Sequence, residues 1–229
     1  MTVKVDIWSD IACPWCFIGK RRFEKGVALF QAARAAEDAE DAGATEVVAE
    51  LHSFELAPDS PTDTAISTVE YLSQRKGMAR EQVEQMLAHV TELAAAEGLS
   101  YDFDSVAQTR TLRAHELLHL AKQHGKQLEV AEALFSAFFE QGRNVGDLEV
   151  LADIAQAAGL DRAETIEALT DGRYRADVDA DMEQARAYGI SGVPFFVIDG
   201  RYGVSGAQSP ETFAAALTQA AADAGAAAR

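Results

Sequence analysis

The only two cysteines of this 229-residue chain, Cys13 and Cys16, sit three positions apart at the junction of a strand pattern and a helix pattern. Val3 to Trp8 alternates β-branched and aromatic residues with polar ones, which reads as a strand. Helical periodicity begins at Cys13-Pro14-Trp15-Cys16 and runs to about Ala39. Pro14 suits a first helical turn, where its missing N–H costs nothing. A thiol at that junction lies at a helix N-terminus, where unpaired N–H groups and the helix dipole favour a thiolate. The second thiol is one turn further on, placed to close a small ring and release a mixed disulfide. We therefore assign Cys13 as nucleophile and Cys16 as resolving thiol. The alternatives are half of a zinc site, which has no further cysteine to complete it, or two ordinary buried thiols.

Glu37 to Gly43 is expected to end the helix, and a second strand follows near Val47–Leu56, broken by Pro58 and Pro61. From about Ser60 to Tyr188 the pattern is helical. Val83, Met86, Leu87, Val90 and Leu93 make one apolar stripe, with Leu128, Ala131, Leu134, Phe135 and Phe138 a second and Leu148, Leu151, Ile154 and Ala155 a third. Asp161 and Glu164 match a capping box for a short helix carrying Ile166 and Leu169. Gly192 to Gly200 reads as a turn, a strand and another turn, with Tyr202–Ser205 as its hairpin partner. Ser209 and Pro210 open a last helix bearing Phe213 and Leu217, and the tail around Gly225 is expected to fray. The expected fold is α/β: residues 1–57 and 187–229 form a small domain, and residues 58–186 an inserted helical one.

Twenty Lys and Arg against 37 Asp and Glu give a net charge of −17. That balance argues against nucleic-acid or anionic-membrane partners. The opening residues lack the pattern of a signal peptide, so a cytoplasmic location is expected.

A second signal is Gly192-Val193-Pro194-Phe195, a proline set just before a β-run, where it would remove a ladder hydrogen bond in mid-sheet. Taken with the cysteine pair, the chain resembles the DsbA-like branch of the thioredoxin superfamily, and within it the FrnE-type proteins. The matching stretches are Ser9 to Arg21, Phe54-Glu55-Leu56, Gly192 to Phe196 and Val204 to Gln208. The resemblance implies a thioredoxin fold with a large helical insertion and a thiol–disulfide oxidoreductase using Cys13 and Cys16. It implies a cis-proline at Pro194 beside the pair, and a Val193 backbone that holds substrate in extended, strand-like pairing. Pro14 and Trp15 would border the same substrate. No resident cofactor and no metal are expected at the site, and glutathione is admitted as a co-substrate. The partners expected are protein or small-molecule thiols and disulfides.

Two features depart from that pattern. Some relatives carry a second cysteine pair near the C-terminus, and this chain has none. Arg110 stands where the resemblance implies an Asn before Thr111, a departure at a position of an expected small-ligand contact. The Pro-Trp dipeptide has no imidazole to favour the thiolate, so the pair is expected to be less oxidising than that of DsbA, at about −120 mV.

Four further features bear on the chemistry. Lys20, Arg21, Arg22 and Lys25 either favour an anion near Cys13 or form a solvated helix face. Asp6 on the first strand either relays protons to Cys16 or faces away from it. His115-Glu116-Leu117-Leu118-His119 matches H-E-x-x-H, but Lys122 and Gly125 occupy the places of a longer zinc motif, so a packed helix face is expected. His52, His89 and His124 carry no signal. Two rival functions remain: a glutathione-dependent isomerase or transferase like the 2-hydroxychromene-2-carboxylate isomerases, and a non-catalytic binding or chaperone-like module.

Overall fold

The computed structural model describes residues 2–37, 45–62 and 66–227. The order is β1 (Thr2–Ser9), α1 (Pro14–Glu37), β2 (Glu46–Ser53), seven helices, β3 (Phe195–Ile198), β4 (Tyr202–Ser205) and α9 (Pro210–Ala227). The seven are α2 (Thr68–Lys76), α3 (Arg80–Ala96), α4 (Leu112–Gln123), α5 (Gln127–Phe139), α6 (Leu148–Ala157), α7 (Arg162–Thr170) and α8 (Arg175–Ala187). The strands form one mixed sheet in the order β2-β1-β3-β4. β1 runs parallel to β2, with α1 as the crossover, and antiparallel to β3, which pairs antiparallel with β4. This is the thioredoxin fold with a helical insertion.

Strand alternation sends the two faces of β1 to different neighbours. Val3, Val5 and Ile7 join the main core with α1, α9 and the inserted helices, whereas Trp8 packs with Val197 and with Ala185 of α8. The main core runs unbroken from sheet to insertion. Phe17 of α1 stacks on Phe135 of α5 at 5.0 Å, and Tyr101 stacks on Phe139 at 4.7 Å.

The helical stripes appear as expected, with one exception. Leu128 is 42% exposed. The inward place at the start of α5 belongs to Gln127, whose amide donates to the Leu51 carbonyl (2.8 Å) and accepts from the Leu51 N–H (2.9 Å). A side chain thus satisfies the open edge of β2. β2 stops at Ser53 rather than continuing to Leu56, because beyond Phe54, whose N–H still reaches β1, the N–H groups turn to side-chain acceptors. Phe54 donates to the Ser9 carbonyl, Glu55 to the Met182 sulfur and Leu56 to Asp10. Asp161 caps α7 through the Glu164 N–H, and Ser209 caps α9 through the Thr212 N–H. α9 stays helical through Gly225 to Ala227, where fraying was expected. The expected end of α1 at residues 38–43 lies outside the described residues.

Gly26 marks the closest approach of α1 to α9. A Cβ there would lie 2.6 Å from the Phe213 Cβ and 2.8 Å from the Pro210 carbonyl oxygen. Gly26→Ala should therefore force α9 outward and cost roughly 1–3 kcal/mol despite the gain in helix propensity. Urea denaturation checks this, and an unchanged or raised midpoint would contradict it.

Candidate active site

Cys13 closes a tight turn from β1 into α1. Its N–H donates to the Asp10 carbonyl (3.0 Å), and the Cys16 N–H donates to the Cys13 carbonyl (3.0 Å). Both thiols are free and buried, while Trp15 between them is 37% exposed. The Cys13 thiol faces the Val193 carbonyl at 3.5 Å, and the Val193–Pro194 peptide is cis. Gly19 lets α1 lie against that loop, since a Cβ there would come 2.9 Å from Pro194 Cγ. Cys13, Pro14, Trp15, Val193 and Pro194 are thus one cluster. A cleft of about 420 Å³ opens beside it, its wall including Cys13, Trp15, Val193, Leu87, Tyr71 and Phe138.

Burial pushes the Cys16 thiol well above the ordinary range, and the neighbouring Cys13 pushes it further. Tyr101 reaches in from the insertion and donates to the Pro14 carbonyl at 2.7 Å. Burial, with the two cysteines nearby, raises its hydroxyl far above normal, so it stays a donor.

The largest omission from the sequence reading is Asp10, which is almost fully buried. Its carboxylate accepts from the Ala12 N–H (3.2 Å), the Leu56 N–H (2.8 Å) and the Thr111 hydroxyl (2.8 Å), and meets His115 Nε2 at 3.4 Å. Burial alone would raise its carboxyl. The contacts of His115, Leu56 and Thr111 outweigh burial and hold it below its ordinary value.

Asp6 takes no part in this cluster. Ile7, Ser9 and Cys16 line one small cavity, so the alternating Asp6 points to the opposite face of the sheet. There its carboxylate pairs with Lys4 and His52, both at 3.0 Å, and a relay to Cys16 is ruled out by direction. The basic run after the motif is also committed elsewhere. Lys20 and Arg21 pair with Glu24 and Glu132, and Arg22 and Lys25 with Glu97, tying α1 to α5 and to the end of α3. Neither a thiolate-directed charge nor a merely solvated face describes them. Arg110 grips the buried Glu55 through two hydrogen bonds, of 3.0 and 2.9 Å.

The H-E-x-x-H residues diverge. His115 turns to Asp10, His119 to Ser53 and Asp181 (both 3.1 Å), and Glu116 to Arg175. Among the described residues, the one group of three with metal-ligand spacing is Asp6, Glu50 and His52. Lys4 and Lys122 already pair with its carboxylates.

His52, passed over in the sequence, joins the sheet to α8. Its ring stacks on Trp8 at 4.6 Å and bridges Asp181 (2.7 Å) and Asp6 (3.0 Å). Asp181 also accepts from the Ser53 N–H, and its carbonyl accepts from the Trp8 indole. Burial would lower the His52 value, but Asp181, Asp6 and Glu50 more than reverse it. Burial likewise opposes ionised Asp181, and His119, His52 and the Ser53 N–H hold its carboxyl far below normal.

A model of the DSBA-like thioredoxin domain matches residues 4–218. The chain belongs to that family. It is 41% identical to a probable DsbA oxidoreductase from Streptomyces coelicolor, with a TM-score of 0.83 over 95% of this chain and 89% of the other. It is 28% identical to the uncharacterized protein YwbO of Bacillus subtilis, over 95% of this chain and 97% of YwbO. The cytosolic disulfide reductase DsbM of Pseudomonas aeruginosa shares the fold at 17% identity, with a TM-score of 0.59 over 94% of this chain and 97% of the other. No helix among the described residues is long and apolar enough to cross a membrane.

The His52–Asp181 contact sets a pH dependence of stability. A His raised on folding contributes fully below its unfolded value of about 6.5, and the contribution fades as pH rises through the folded value. The depressed Asp181 contributes above its unfolded value of about 3.9 and loses this only at lower pH. His52→Gln should therefore cost most near pH 5.5 to 6, with the gap narrowing toward about pH 9. Urea midpoints of the two proteins across that range check this, and a gap that widens with pH would contradict it.

Proposed function

We propose that this DSBA-like protein is a cytoplasmic thiol–disulfide oxidoreductase of the FrnE type, working through Cys13 and Cys16. The observation that carries the reading is the arrangement of the free pair. Cys13 sits at the N-terminus of α1 beside the cis-Pro194 loop, and Cys16 is buried behind it.

The two thiols then take unequal roles. The N-terminus of α1 favours negative charge at Cys13. The Cys13 thiolate attacks one sulfur of a substrate disulfide, that S–S bond breaks, and the departing sulfur takes the electron pair and a proton. Once Cys13 is in a mixed disulfide, its charge no longer opposes ionisation of Cys16. Cys16 then loses its proton and attacks the Cys13 sulfur, releasing the second substrate thiol. The substrate has gained two electrons, and the protein holds a Cys13–Cys16 disulfide. A thiol reductant of the glutathione class returns the pair to dithiol through the reverse steps.

The Val193 backbone is the proposed rail for an extended substrate segment, and Pro14 and Trp15 its floor. The net charge of −17 speaks against nucleic acid and anionic membrane as partners.

Trapping tests the assignment. With a mixed glutathione–peptide disulfide as substrate, Cys16→Ala should accumulate a stable adduct on Cys13, seen as an intact-mass increase. The parent should turn over without accumulating it, and Cys13→Ser should form none. Full turnover by Cys16→Ala, with no adduct, would overturn the mechanism and favour isomerase-type use of a single thiol.

A further inference from the structure

We propose that Asp10 is a positioning residue for Cys13, and that the buried Asp10–His115 pair sets how reactive that thiol is. This rests on the reading of Cys13 as the nucleophile.

Asp10 heads the turn that Cys13 closes: its carbonyl accepts the Cys13 N–H at 3.0 Å, and its carboxylate accepts the Ala12 N–H at 3.2 Å. The backbone that aims the thiol is thus gripped twice by one residue. That residue is in turn anchored by Leu56, which follows β2, and by Thr111 and His115 at the start of α4. Three separated parts of the chain converge on the carboxylate, and their common product is the placement of Cys13.

Such a turn keeps its first and last Cα atoms within about 7 Å. An ionised Asp10 therefore lies close to Cys13 at the same helix end. The α1 N-terminus favours a thiolate, and a carboxylate beside it opposes a second negative charge. His115 moderates that opposition by meeting the carboxylate oxygen. Its other ring nitrogen, Nδ1, is buried with no hydrogen-bond partner, so the ring's polar contact is the one with Asp10. The remaining titratable groups around the turn are Cys16, Tyr101 on the Pro14 carbonyl, and the Glu55–Arg110 pair next to Leu56.

The two members of the pair should therefore act in opposite directions. In a Cys16→Ala background, the alkylation rate of Cys13 by iodoacetamide is followed against pH. Asp10→Asn removes the opposing charge, so the profile should move to lower pH and the rate near pH 7 should rise by up to about tenfold. His115→Met withdraws one partner from a carboxylate that the Ala12 and Leu56 N–H groups and the Thr111 hydroxyl keep ionised, so the charge beside Cys13 is less compensated, the profile should move to higher pH and the rate should fall severalfold. Thr111→Val should move it the same way by less. Mere loosening of the fold would expose the thiol and speed alkylation in all three, so opposite signs separate charge from damage.

Profiles that coincide with the parent, or that all shift together, would overturn the proposal. If Asp10→Asn does not fold, His115→Met and Thr111→Val still decide it, since both must slow the reaction. Alkylation needs no disulfide chemistry, so the outcome stands apart from the trapping experiment. Failure there with opposite shifts here would leave the pair's effect on Cys13 intact and remove the oxidoreductase reading alone.

Discussion

An ionised carboxylate can be buried only where donors converge on it, and Asp10 satisfies this by drawing together three parts of the chain. The turn after β1, the segment after β2 and the start of α4 all donate to its oxygens. The position of the inserted helices and the position of Cys13 thus share one anchor. On the opposite face of the sheet Asp181 has the corresponding role, binding α8 to His52 and Ser53 of β2 and to His119 of α4. Removing one partner from either site would leave a buried charge uncompensated, which costs more than the intact pairing contributes.

Between these anchors the apolar core sets the redox pair's surroundings. Cys16 belongs to the same buried cluster as Ile7, Phe17 and Phe135, and that burial is the main reason its thiol resists ionisation. Cys13 lies at the boundary between this core and the cleft, opposite a backbone carbonyl of the cis-proline loop. Tyr101 adds a contact from the insertion to the dipeptide between the thiols. The insertion therefore does more than enlarge the protein: it supplies one wall of the cleft and part of the hydrogen bonding that holds the motif.

Much of this was legible in the sequence, because local pattern carried it. The alternation of Val3–Trp8, the Cys-Pro-Trp-Cys junction and the Phe195–Ser205 hairpin each depend on neighbours in the chain. What escaped was decided by long-range pairing. Gln127 displaced Leu128 from the core because the edge of β2 needed a donor and an acceptor, which helical periodicity does not register. Lys20, Arg21, Arg22 and Lys25 read equally as an anion site or a solvated face, because the Glu132 and Glu97 that meet them lie 72 to 112 positions away. His52 showed no signal because its partner Asp181 is 129 positions distant. Asp10 lay within the recognised motif, yet its role needed Thr111 and His115 to be brought against it.

The central claim is that Cys13 and Cys16 form a working two-electron couple, and equilibration in graded glutathione buffers tests it most directly. Intact mass or gel shift after alkylation reads the fraction oxidised, with Cys13→Ser as control. The account predicts a single reversible transition between dithiol and intramolecular disulfide, with a midpoint more negative than about −120 mV. Absence of any Cys13–Cys16 disulfide, or a midpoint at or above that value, would contradict it.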